Sequence, residues 1–439
     1  MDKSLIKFRV GRLIHNIPYS SIPRIGHVYK NYKNEIAKYK DYNIQEEQQA
    51  IFEKVHKLVA YAIENIPFYR DYYSQKGFSI NQLRSYDDIS LIPIVSKKEL
   101  MAVPLEYRSV KQRMSFLTNT GGSTGIPLSF YKLREQQIKE TAYYDEAWSK
   151  LGYSNTSLRL QFVGRSQKEI ISYDLIRKRL TANIYTPFEQ LIKKLSEFCN
   201  YKEISYLQGY PSVLYQFALF MESHPEDYMQ SGLNGKIKGI FLNSEYPYPE
   251  YRKKIEKVFD TKCIASYGHT EGCILAFDYG DNTYDVMRSY GYAEAIEMPD
   301  GMHLIGTSYD SFVSPFIRYD TGDIVDNAVI KEGLLHSFRM SEGGRSGQYV
   351  IDKKGVKISL TGLIFGRHHR LFDYCSQIQL SQTKPGYAKV FYVPNETVTV
   401  IPSPAELFNS DEIDMCFEFE QISSPIRTKS GKVLLLIKN

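Results

Sequence analysis

The chain has 439 residues, more than a single core usually serves, so two domains are the first expectation. Apolar residues make up 43% and charged residues 24%, the balance of a globular protein, and 55 basic against 50 acidic residues leave a formal charge of only +5. That excess is too small for a nucleic-acid-binding surface, and no stretch reaches the roughly 18 apolar residues of a membrane span. Cys199, Cys263, Cys273, Cys375 and Cys416 are scattered without a Cys-x-x-Cys pair, which argues against a zinc site or disulfide framework and suits the cytoplasm. The 36 tyrosines against one tryptophan read as core and surface composition, with no stacking function implied.

The first segment, Met1 to Pro18, is basic and mildly amphipathic through Leu5, Ile6, Phe8, Val10, Leu13 and Ile14. It lacks the unbroken apolar core of a signal peptide, and packing on the body of the protein is expected, with peripheral membrane contact as the lesser alternative. From Gln45 to Glu64, Ile51, Phe52, Val55, Leu58, Val59, Ala62 and Ile63 recur at helical spacing. Pro67 ends that helix. A loop from Asp88 turns into an extended stretch at Val95, and Ser96 with Glu99 has the spacing of a capping box for the next helix.

From about residue 115 strands and helices alternate. Candidate strands are Met114–Thr118, Ser157–Val163, Tyr206–Tyr210, Lys236–Leu242 and Thr261–Ser266; candidate helices are Gln136–Leu151, Phe188–Asn200, one opening at Pro211 and Pro249–Phe259. This rhythm predicts an α/β fold with a mainly parallel sheet. Short strands and turns follow from Asp285 to Phe338, and the last segment, from Arg345 to Asn439, reads as a small α+β domain.

Four segments carry chemistry. In the first, Thr118 to Pro127, glycines Gly121, Gly122 and Gly125 alternate with the hydroxyl residues Thr120, Ser123 and Thr124 directly after an apolar strand. Glycines let the backbone approach a ligand, and hydroxyls and amides donate to phosphate oxygens. No lysine follows the last glycine, so this is not a Walker A loop; a plain polar loop is the alternative. The second, Ser266 to Gly272, contains Tyr267, Gly268, Thr270 and Glu271 at a strand end, where ligands of α/β sheets bind. A carboxylate beside a hydroxyl suits Mg²⁺ on nucleotide phosphates. In the third, Ile317 to Asp323, Asp323 has the chemistry to hold ribose hydroxyls, although Thr-Gly-Asp alone is a common turn. The last, Arg427 to Lys432, is alone no more than a basic tail.

Taken in order, these segments resemble the core motifs of the adenylate-forming (acyl-CoA synthetase) superfamily. Glu64 to Arg70, Leu91 to Ile94, Gly209 to Ser212, Asn243 to Glu245, Gly344-Arg345 and Gln377 to Gln382 are similar to its phenylacetate-CoA ligase branch, and within it to the CapK-type proteins encoded with capsular polysaccharide genes. The resemblance covers nearly the whole chain from about residue 45. It implies a large N-terminal domain, residues 1–344, with parallel-sheet layers, and a small mobile domain, 345–439, that closes over the site. It implies that Thr120, Gly121, Gly122, Ser123, Thr124 and Gly125 clasp ATP phosphates, that Glu271 binds Mg²⁺, and that Thr270 lies near the α-phosphate. Tyr267 with Gly268, and Ser244, Glu245 and Tyr246, would flank adenine. Asp323 would hold the ribose, with Arg345 at the hinge, and Lys432 would reach the α-phosphate and the attacking carboxylate. Leu128 departs from the pattern, since many relatives carry a lysine there, and Ser346-Gly347-Gln348 replaces the usual acidic hinge.

The implied activity is ATP-dependent activation of a small carboxylic acid as acyl-AMP, followed by transfer to CoA. A sugar amine or carrier-protein thiol is the alternative acceptor, and a nucleotide-binding relative without catalysis is the reading of another class. A homodimer is compatible with all three, and no nucleic-acid partner is expected.

Overall fold

The computed structural model describes every residue except 1–2, 121–127, 164–168, 185, 342–348, 365–366, 368, 396–397, 399–400, 412, 429–430, 432 and 438–439. The fold is α/β, and the chain divides into two compact units, each assembled from separated segments.

One unit comprises residues 10–157 and 262–339. Its helix Ile44–Asn65 starts at a complete capping box between Asn43 and Glu46 and buries Ile51, Val55, Leu58, Val59 and Ala62 of the stripe read from the sequence, with Phe52 and Ile63 half-buried at its edges. Pro67 opens the next helix, Pro67–Gln75, where its missing N–H costs nothing. Ser96 caps the helix Lys97–Met101 through Glu99 as expected. The sheet of this unit runs Gly291–Met298, Gly301–Ser308, Tyr319–Lys331, Leu334–Met340, Tyr284–Val286, Leu275–Asp278, Cys263–Gly268. Pairing within it is antiparallel, except that Val95–Ser96 lies parallel to Tyr319–Asp320.

The other unit comprises residues 1–9, 158–261 and 340–439. Here the expected parallel sheet is present: Gly239–Asn243, Ile204–Gly209, Leu158–Val163 and Arg179–Asn183 pair in parallel, and Ile171–Asp174 closes the edge antiparallel. All six residues of Ile204–Gly209 are buried, as a central strand covered on both faces requires. Helices Phe188–Cys199, Pro211–Ser223 and Pro249–Phe259 cover it. A separate four-stranded sheet, in the order Cys416–Gln421, Tyr387–Pro394, Cys375–Lys384, Leu436–Ile437, forms the C-terminal part. Gln377 in that sheet donates through Nε2 to the Tyr251 hydroxyl at 2.9 Å, and Tyr251 stacks on Tyr215 with ring centroids 4.3 Å apart.

The first helix, Lys3–His15, turns an unexpected face inward. Ser4, Phe8, Gly11 and His15 are buried, while Ile6, Val10, Leu13 and Ile14 are exposed. Among the described residues no helix is long and apolar enough to cross a membrane.

Candidate active site

Within the unit of residues 10–157 and 262–339, the second and third motif segments meet. The strand Cys263–Gly268 continues two residues beyond its expected end and turns back into Leu275–Asp278, with Gly268 opposite Leu275. Thr270 and Glu271 lie in the tight turn between, where the Gly272 amide donates to the His269 carbonyl at 3.0 Å. Gly272 has φ +73°, a conformation that costs other residues energy.

Glu271 is buried at 7% exposure, which by itself pushes its carboxyl up. His269 Nδ1, 3.3 Å from Oε2, and the Tyr319 hydroxyl, donating to Oε1 at 3.3 Å, outweigh that effect. The carboxyl is therefore held below the ordinary carboxylate range and is anionic at neutral pH. Among the described residues His269 Nε2, which is buried, finds no hydrogen-bond partner.

The Thr-Gly-Asp segment is not a turn. It lies inside the long strand Tyr319–Lys331 as a bulge, where the register against Gly301–Ser308 shifts between Ile305–Asp320 and His303–Ile324. Gly322 takes φ +70° there, and its amide donates to Asp320 Oδ1 at 2.9 Å. Thr321 is tied to the Leu304 carbonyl at 2.8 Å. The bulge aims Asp323, only 4% exposed, at Tyr267, whose hydroxyl donates to Oδ2 at 2.7 Å. Two of the motif segments thus share a hydrogen bond.

Arg318 anchors this strand from behind. It has φ +41°, makes a bidentate pair with Glu294 at 2.8 and 2.9 Å, and donates through Nη1 to the carbonyls of Ser90 and Ile92. Its motif position gave no sign of this structural duty.

Thr120 and Leu128 flank the glycine- and hydroxyl-rich segment. The Thr120 amide donates to the Leu128 carbonyl at 2.9 Å, and the Leu128 amide to Thr120 Oγ1 at 3.0 Å. Lys132, on the strand Ser129–Leu133 that follows, donates to the Thr270 carbonyl at 3.2 Å and to Glu140 at 2.5 Å. Sequence reasoning missed Lys132; its inward place on an alternating strand was the available signal. Gly121, Gly122, Ser123, Thr124, Gly125, Arg345 and Lys432 lie outside the described residues.

In the other unit, Ser244 ends the strand Gly239–Asn243 with φ +65°, an uncommon conformation for a serine. Glu245 follows, and its Oε2 accepts the Ser212 amide at 3.1 Å while Oε1 accepts the Val433 amide at 2.8 Å. Val433 also bridges Arg427, and the Gly431 amide donates to the Thr428 carbonyl at 2.8 Å. Arg427 donates to the Gly431 carbonyl at 3.1 Å and to Gln216 at 3.2 Å. Tyr246 packs edge-on against Tyr248.

No family profile matches the chain. It is 23% identical to the protein CapK of Staphylococcus aureus over 310 residues, which are 68% of this chain and 66%, just under two thirds, of that relative. The fold is similar to that of 2-hydroxyisobutyryl-CoA ligase bound to 2-HIB-AMP in its postadenylation state, with TM-score 0.66, 17% identity and 89% of both chains covered. The fold is that of the adenylate-forming ligases. The acyl acid amido synthetase GH3.15 with 2,4-DB shares this adenylate-forming fold at TM-score 0.56 and 14% identity, over 85% of this chain and 83% of its own.

Proposed function

We propose that the chain is an AMP-forming acid ligase, and the observation that carries this reading is the joined set Tyr267–Asp323 and Tyr319–Glu271 in a chain of this fold. A substrate carboxylate oxygen attacks the α-phosphorus of ATP, the bond to the β-phosphate oxygen breaks, and pyrophosphate leaves. Asp323, fixed by Tyr267, accepts the ribose hydroxyls. Thr120 to Gly125 hold the phosphates, Thr270 lies at the α-phosphate, and Lys432 offsets the charge that builds on its oxygens. Ser244, Glu245 and Tyr246 line the adenine side, and Arg345 is the hinge between domains 1–344 and 345–439, the smaller of which moves.

A buried anionic carboxylate fits Mg²⁺, which takes few protein ligands and completes its shell with phosphate and water oxygens. Glu271 would hold the ion, which supplies charge neutralisation on the phosphates.

The thiol of CoA then attacks the acyl carbonyl and AMP departs. Transfer to CoA is supported by the ligase-like fold, and a nitrogen acceptor by the amido synthetase likeness. The resemblance to CapK-type proteins suits a role in surface polysaccharide synthesis, and the scattered cysteines suit the cytoplasm.

Pyrophosphate release with ATP, Mg²⁺ and a panel of carboxylic acids, without and then with CoA, tests the reading. Acid-dependent release supports adenylation, and acceleration by CoA identifies the acceptor. Lys432→Ala is expected to lower that release by on the order of 10²–10³ while ATP binding persists. A protein that binds no ATP overturns the proposal.

A further inference from the structure

The helix Lys3–His15 is built inside out. Successive residues are about 100° apart around a helix, so positions 4, 8, 11 and 15 form one stripe and positions 6, 10, 13 and 14 another. The inward stripe is Ser4, Phe8, Gly11 and His15. It is firmly seated: Ser4 Oγ donates to the Ile171 carbonyl at 2.7 Å, and the Phe8 ring meets Tyr173 and Phe198 with centroids 5.1 and 5.4 Å away. The outward stripe is Ile6, Val10, Leu13 and Ile14, with Val10 63% and Leu13 72% exposed, and Ile17 extends it at 43%. Isolated exposed aliphatics are ordinary, but a contiguous row on a face turned away from the core marks an interaction surface.

Charge selects the partner. The exposed side chains of Lys7, Arg9 and Arg12 border the aliphatic row, and the helix contains no acidic residue. A two-fold contact between copies through this face would bring like charges together. An anionic lipid surface satisfies both features, since the aliphatic row enters the acyl boundary while the cations meet the headgroups. We propose that the helix Lys3–His15 is an interfacial anchor that lays Ile6, Val10, Leu13 and Ile14 on an anionic bilayer. This inference is independent of the reaction assigned above.

Flotation of the purified full chain with vesicles of phosphatidylcholine, alone or mixed with phosphatidylglycerol, tests it. Recovery with the anionic vesicles is expected to exceed that with phosphatidylcholine several-fold and to fall as salt is raised. The double variant Val10→Asp, Leu13→Asp is expected to lose binding by about tenfold or more, with unchanged circular dichroism and melting, because both side chains face solvent. Wild-type recovery no greater than in vesicle-free gradients, or flotation of the double variant equal to wild type, overturns the proposal. So does a wild-type dimer that the same substitutions dissociate without any flotation of either protein, which assigns the face to a second copy.

Discussion

The carboxylate of Glu245 reaches Val433, 188 residues further along the chain, taking its amide at 2.8 Å on one oxygen and the Ser212 amide at 3.1 Å on the other. Val433 follows Lys432 directly, so the chain next to the proposed catalytic lysine is pinned by a residue that the motif resemblance assigned to adenine. Glu245→Ala removes two charge-assisted hydrogen bonds. It is expected to slow acid-dependent pyrophosphate release by roughly 10–100-fold, with a much smaller change in ATP affinity. Comparing single-turnover release with ATP titration checks this. A loss confined to ATP affinity returns Glu245 to the adenine alone.

Lys132 ties the strand after the phosphate loop to the turn that carries Glu271. Its side chain is 7% exposed and serves both Glu140 and the Thr270 carbonyl. Lys132→Met is expected to destabilise the protein by about 1–3 kcal/mol, because the half-buried Thr270 carbonyl and Glu140 both lose their donor. Denaturant melts of this variant, of Glu140→Gln and of the pair are expected to be non-additive, as for residues in one network. Additive losses would show that the two side chains act separately.

Tyr267→Phe removes the donor at 2.7 Å from Asp323 without emptying the space of the ring. The carboxylate then loses one of the contacts that orient it. KM for ATP is expected to rise by about 5–30-fold, from the loss of one hydrogen bond to a charged group, with kcat less affected. Steady-state kinetics with ATP varied separates the two.

His303 gives the fold a pH dependence of known sign. Burial alone would lower its pKa, but its hydrogen bonds and charge attraction to Asp320 and Asp300 outweigh this and hold it above the ordinary 6.5. The folded pKa is raised, so the stabilisation is complete below the unfolded value and is lost as pH rises through the folded one. Melting temperature is expected to decline from about pH 6 to about pH 8, and the decline is expected to shrink in His303→Gln. Parallel slopes in the two proteins would exclude His303 as the source.

The local elements were legible because their causes are local. The stripe of Ile51, Val55, Leu58 and Val59 and the capping boxes at Asn43 and Ser96 need only residues within a turn or two. Pro211 and Pro249 opened helices where a proline belongs. What escaped was set by distant partners. Thr321, Gly322 and Asp323 have the composition of a turn and become a bulge only because the strand Gly301–Ser308 lies alongside. The first helix reads as one whose aliphatics should be covered, yet Phe8 finds Tyr173 and Phe198 and rotates the rest outward. Arg318 sits in a motif associated with nucleotide chemistry, while its partners are Glu294 and two main-chain oxygens.

The reach of Arg318 also orders events during synthesis. Its partners at Ser90 and Ile92 precede it by 228 and 226 residues, and Val95 pairs with Tyr319. The N-terminal helices therefore leave the ribosome long before the strand that carries Asp323 exists, and that strand cannot be seated until both ends of the pairing are available. Contacts of such long separation slow folding and leave unfinished surfaces exposed in the interval. A nascent chain stalled before residue 318 would lack this clasp altogether, which makes the second half of translation the period in which this protein most needs chaperone protection.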